Sequence, residues 1–186
     1  NKKNLNGIFL LDLKHEHSSI QNEDEANYIK DLYEKLIGKE WIDKNENKKI
    51  INEDDILVIS PFNAQVNLIK EKLNINSRVG TIDNFQGQEA PIIIASYATS
   101  SPEEIGLSRG SDFIFDFRRL NVSISRARSV AIILFNKELL NYNCSTIEDI
   151  ERLNYFCKLK EFDFNPKIFL EMLWSLYKLL YENSEE

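Results

Sequence analysis

The chain has 186 residues, 42% hydrophobic and 28% charged, which suits one domain with a sizeable core and excludes an extended disordered chain. No apolar stretch is long enough to span a membrane, and Cys144 and Cys157 are too few for a zinc knuckle or a disulfide framework, so a soluble cytoplasmic protein is expected. A net charge of −7 excludes a general electrostatic grip on nucleic acid, yet four of the seven arginines, Arg118, Arg119, Arg126 and Arg128, share one short window, which leaves room for a local basic site.

Residues 8–11 form a short apolar run with the length of a buried strand. From Ala26 onward, Ile29, Leu32, Tyr33, Leu36 and Ile37 recur at spacings of three and four, which predicts a helix ending near Gly38. After a polar connection, Ile56, Leu57, Val58 and Ile59 are apolar on both faces, as in a parallel sheet, and Ser60 and Pro61 end the run. Val66, Leu68, Ile69 and Leu73 predict a second helix, residues 79–82 a short strand, and residues 92–95 another fully apolar strand. Residues 98–112 lack periodicity and read as a loop. Leu120, Ile124 and Ala127 suggest a helix before the sixth apolar run at 130–135, and residues 141–186 read as a helical extension that includes a long apolar-periodic segment at 168–181. Strands alternating with helices predict a single α/β domain with a mostly parallel sheet flanked by helices. In such sheets ligands gather at the carboxyl ends of the strands, which directs attention to the polar clusters there.

The most specific segment runs from Val79, Gly80 and Thr81 through Asp83, Phe85, Gln86 and Gly87 to Glu89. Some thirty residues on come Arg119, Leu120, Asn121 and Val122, followed by Ser125, Arg126, Ala127 and Arg128. Together they resemble motifs V and VI of superfamily 1 nucleic-acid helicases, an Asp-x-Phe-Gln-Gly-x-Glu and an Arg-Leu-Asn-Val-x-x-[Ser/Thr]-Arg-Ala-Arg. Ser60, Pro61, Phe62 and Gln65 are similar to motif IV, and Asn22, Glu25 and Ala26 to the Asn-x-x-Glu-Ala helix start upstream of it. The order and coverage, roughly residues 8–140, suit a whole-domain relative better than a chance motif. The run from Gln86 to Pro91, with Ala98 to Glu103, looks closest to the helicases fused to a RecB-like nuclease.

This resemblance implies a three-layer RecA-like fold and the second motor domain of an ATP-dependent helicase. It makes Arg126 the arginine finger, delivered across an interdomain cleft to the developing charge on the γ-phosphate. A planar guanidinium on a short helix suits that task because it binds phosphate bidentately. Gln86, Gly87 and Glu89 would accompany it at the nucleotide, and Pro61, Phe62, Gln65, Thr81, Arg119 and Arg128 would lie near a DNA or RNA strand. Each has a plainer reading: single arginines are commonly surface ion pairs, Phe62 and Phe85 are commonly core, and Phe85 is expected inside. His15 and His17, with Asp12, lack a third ligand at metal spacing and are expected to be solvated.

No phosphate-cradling Gly-x-x-x-x-Gly-Lys-[Ser/Thr] occurs; Gly38 and Lys39 follow Tyr33 where the first glycine is required. Asp24, Glu25 and Ala26 imitate a magnesium-binding Asp-Glu-Ala box but follow a polar stretch rather than a strand. The expectation is a piece of a larger protein whose N-terminal RecA-like domain binds ATP and Mg2+, with this chain inactive alone. The rival is a non-catalytic RecA-like module that binds nucleic acid or protein; an autonomous nuclease would need a carboxylate metal cluster that is not visible.

Overall fold

A computed structural model describes residues 7–42, 47–85, 87–107 and 110–159. Five parallel strands, β1 (Gly7–Asp12), β4 (Ile56–Ile59), β5 (Arg78–Gly80), β6 (Ala90–Ser96) and β7 (Ala127–Phe135), form one sheet in the order β1-β7-β6-β4-β5. Between the first two strands in sequence, β2 (Glu40–Ile42) and β3 (Lys48–Ile50) form a separate antiparallel hairpin. The polar connection expected there hides this hairpin because three-residue strands with mostly exposed side chains carry no apolar alternation.

Alternation along each strand feeds two cores. Phe9, Leu11, Ile56, Val58, Ile92, Ile94, Ile132 and Leu134 pack with α1 (Glu23–Leu36) and α2 (Asn63–Lys72) on one face. Leu10, Leu57, Ile59, Ile93, Ala95, Ile133 and Phe135 point to the other, where α5 (Phe117–Ser125) contributes Leu120 and α6 (Ile147–Leu159) contributes Phe156. Every residue of β4 and β6 is buried, the result of helices covering both sides of a parallel sheet. These are the three layers of a RecA-like α/β fold.

Helix α1 begins three residues earlier than its apolar stripe because Asn22 caps it, accepting a 2.7 Å bond from the Glu25 amide. Its end lies beside Gly38, which takes φ +81°. The unpatterned stretch after β6 is not one loop: it contains α3 (Pro102–Leu107) and α4 (Ser111–Ile114), each too short to show a helical stripe. The helix predicted at 168–181 lies outside the described residues. No helix among those described is long and apolar enough to cross a membrane.

Candidate functional site

The sheet order separates the motif residues into two groups. Strands β5 and β6 flank β4 on opposite sides and run parallel, so residues 81–89 must return from the carboxyl edge of the sheet to its amino edge across β4. Ile82 and Phe85 lean on the second core during this crossing. Thr81 therefore stands at one edge and Glu89 at the other. The distinction is a consequence of parallel pairing: a chain that leaves one strand at its end must enter the next at its beginning.

At the amino edge, Ala90 pairs with Ala127, and the Ala90 amide donates to the Arg126 carbonyl at 3.2 Å. Glu89 and Arg126 are thus neighbours, one residue upstream of paired positions on adjacent strands. Arg126 is the C-cap of α5, where the partial negative charge of the helix end favours a cation. Its Nε is buried and has no hydrogen-bond partner among the described residues, a costly state that the helix end does not relieve. Arg128, two residues further along, is exposed, as are Gly87 and Glu89. Gly87 takes φ +82°, a left-handed conformation that glycine adopts without strain. Gln86 lies outside the described residues.

The carboxyl edge holds Pro61, Thr81 and Arg119. Pro61 and Arg119 help line a narrow recess together with Ile82, Tyr97, Phe113 and Asp116. Arg119 pairs with Asp116 at 3.4 Å, and its guanidinium lies 4.6 Å from the Phe113 ring centre. Thr81 is half-buried, and both its amide and its hydroxyl donate to Asn84 Oδ1 at 2.8 Å, closing the turn that starts the crossing. Helix α5 runs from Asp116 and Arg119 at this edge to Arg126 at the other, so motif VI, like motif V, spans the sheet.

The family model for the AAA domain matches residues 11–138. DNA polymerase alpha-associated DNA helicase A of Saccharomyces cerevisiae is 38% identical over 128 residues, 63% of this chain and 17% of that protein. An uncharacterized ATP-dependent helicase of Caenorhabditis elegans is 34% identical over 139 residues, 73% of this chain and 8% of its own length. Helicase sen1 of Schizosaccharomyces pombe is 32% identical over 130 residues, 66% of this chain and 7% of its length. The chain belongs to the AAA-domain helicase family. It is a superfamily 1 RecA-like helicase domain, and it spans 17% or less of these three relatives.

Within this helicase domain two motif IV residues are not at the surface. Phe62 is 4% exposed and packs 5.6 Å from Phe113, so its ring belongs to the second core rather than to a stacking platform. Gln65 is 0% exposed, and its amide is fully engaged: Oε1 accepts from the Asn22 amide at 2.7 Å, while Nε2 donates to the Asn22 carbonyl at 3.1 Å and to Ser96 Oγ at 2.9 Å. It joins the start of α1 to the end of β6. Phe85, expected inside, is only partly buried.

The Asn-x-x-Glu-Ala start acquires a physical meaning here. Glu25 is completely buried; its Oε2 accepts from Ser96 Oγ and from the Ala98 amide at 3.0 Å, and its Oε1 lies 3.0 Å from His15 Nε2. His15 is therefore not solvated. Its Nδ1 is 2.7 Å from Ser100 Oγ, and its carbonyl accepts from Asn136 Nδ2 at 2.8 Å, whereas His17 is exposed as expected. Ala98 takes φ +60°, a strained position for a side chain, and the Glu25 carboxylate holds its amide there. Nothing in the spacing of His15, Glu25 and Ser100 reveals this cluster, because 85 residues separate its histidine from its serine.

Proposed function

We propose that this helicase domain is the second motor domain of an ATP-dependent nucleic-acid helicase, with its amino edge facing the nucleotide and its carboxyl edge facing the strand. The carrying observation is Arg126. A buried guanidinium nitrogen without a partner among the described residues, beside exposed Glu89, suits an edge completed by another domain.

The donors there are cationic or N–H groups, which match phosphate oxygens, so magnesium and the phosphate cradle are assigned to the N-terminal RecA-like partner in the complete protein. ATP bound in that cleft would supply the β–γ phosphoanhydride bond whose cleavage drives movement, the γ-phosphoryl group passing to water and ADP leaving. As the cleft closes, Arg126 delivers positive charge to the γ-phosphate oxygens, with its backbone fixed by the bond to Ala90. Glu89 accepts hydrogen bonds from the nucleotide, Gly87 lets the backbone approach it, and Gln86 is assigned beside them. Arg119 provides a cation, and Pro61 and Thr81 a close-fitting surface, for DNA or RNA, whereas Arg128, at the start of β7, lies on the amino edge and is removed from the strand in this reading. Burial removes Phe62 and Gln65 from direct contact in this reading. Without its partner domain the chain turns over no ATP.

The test is Arg126→Ala in the full-length helicase that contains this domain. Nucleic-acid-stimulated ATPase should fall by about 10³-fold or more while nucleotide binding persists. Turnover near the unmodified rate would remove Arg126 from the finger role, and retained strand binding without any ATPase in the unmodified full-length protein would favour a binding module.

A further inference from the structure

One arginine outside every helicase motif ties the crossing segment down. Arg78, the first residue of β5, extends its two terminal nitrogens to two different segments: Nη1 donates to the Asp54 carbonyl in the 3-10 turn before β4, and Nη2 donates to Gln88 Oε1 at 2.8 Å. Its guanidinium also lies 6.0 Å from the Phe85 ring centre. Phe85 in turn fills the space beside Gly80, where a Cβ would stand 2.8 Å from Phe85 Cε2. Arg78 thus grips the crossing at Phe85 and Gln88, on either side of Gly87.

We propose that Arg78 and Gln88 form a latch that positions Gly87 and Glu89 on the amino edge, and so sets how strongly events at Thr81 reach the nucleotide side. The inference rests on the proposed motor function. Three observations carry it. Residues 81–89 link the two edges within nine residues, so a shift at either end has a short route to the other. The latch lies between a cation and a neutral amide that is itself exposed, so it opens and closes without leaving a buried charge. Gly87, adjacent to Gln88, has left-handed backbone, and among the described residues nothing lies within 4 Å of where a Cβ would stand on it, which gives the latched segment a pivot with room to turn. Arg78 is a positioning residue in this scheme: it holds Gln88 and touches neither nucleotide nor strand.

The experiment compares Arg78→Ala, Gln88→Ala and the double variant in the full-length helicase, measuring ATPase with and without single-stranded DNA or RNA, and thermal unfolding. Each single change should lower strand stimulation roughly two- to thirty-fold, and the double variant should be no worse than the more impaired single, since both break one contact. Arg78→Lys keeps the charge but cannot span both oxygens, so it should not restore stimulation. Gln88 is exposed, so its variant tests the latch even if Arg78→Ala fails to fold. Unchanged stimulation in Gln88→Ala, losses that multiply in the double variant, or full recovery with lysine would each overturn the latch. The unmodified protein in the same assay separates the two claims: if it shows no ATPase with or without a strand the motor reading fails, and if it is strand-stimulated while Gln88→Ala is equally so only the latch fails.

Discussion

Gln65 illustrates how a motif residue acts without meeting a ligand. Three hydrogen bonds to Asn22 and Ser96 consume its amide, and they join the start of α1 and the end of β6, 43 and 31 residues away in sequence. Gln65→Ala should therefore destabilise the fold by about 1–3 kcal/mol, because it leaves the buried Asn22 amide without its acceptor, while the Asn22 carbonyl keeps its bond from the Ala26 amide. Urea denaturation checks this, and a variant of unchanged stability with weakened strand affinity would return Gln65 to the strand surface. Arg126 presents the opposite case. Its position at a helix end and beside Glu89 follows from the motif, but the lone Nε is a fact of packing that no spacing rule supplies. The motif residues were legible in sequence as a set; which of them face outward was not, since burial is decided by chains far away in sequence.

At the scale of elements, the long uniformly apolar runs were the most readable. Strands β4, β6 and β7 fall where continuous isoleucine, leucine and valine put them, and α1 and α2 follow their stripes. Short elements escaped for a physical reason: the β2–β3 hairpin and α3 and α4 contain too few residues to express a period, and their positions depend on what they touch. Helix α6 shows such a dependence. Thr146 and Asp149 cap one another at its start, with the Asp149 amide donating to Thr146 Oγ1 at 3.1 Å and the Thr146 hydroxyl to Oδ2 at 2.9 Å, while Ser111 Oγ of α4 donates to Oδ1 at 2.8 Å. The Ser111 hydroxyl first, and Thr146 after it, hold the Asp149 carboxyl below its ordinary range. A folded-state value below the unfolded one means that the ionised form is favoured by folding, so this contribution is present above the unfolded value and lost as pH falls through the folded one. Asp149→Asn should thus cost stability at neutral pH, and the gap to the unmodified chain should close in acid. A gap that persists unchanged to the lowest accessible pH would assign the effect to packing of α6 rather than to the carboxylate.

For the whole molecule, the decisive feature is that a parallel sheet puts the beginnings and ends of its strands on opposite edges. Of the residues singled out in the sequence, Pro61 and Thr81 follow strand ends, whereas Glu89 and Arg126 flank strand beginnings. A net charge of −7 then constrains how the carboxyl edge can hold a strand. Arg119 is the cation lining its recess, and it is already paired with Asp116, so few phosphates can be neutralised there. Each neutralised phosphate on a single strand contributes a slope of about −0.7 in log affinity against log salt. The isolated domain should therefore bind single-stranded nucleic acid weakly, with a total slope between about −0.7 and −1.4, and Arg119→Ala should flatten it by about 0.7. Fluorescence anisotropy at several salt concentrations measures both. A slope steeper than about −3 would mean that a larger basic surface lies elsewhere on the chain, and a slope indifferent to Arg119 would place the strand away from the carboxyl-edge recess and leave the amino edge alone with a functional role.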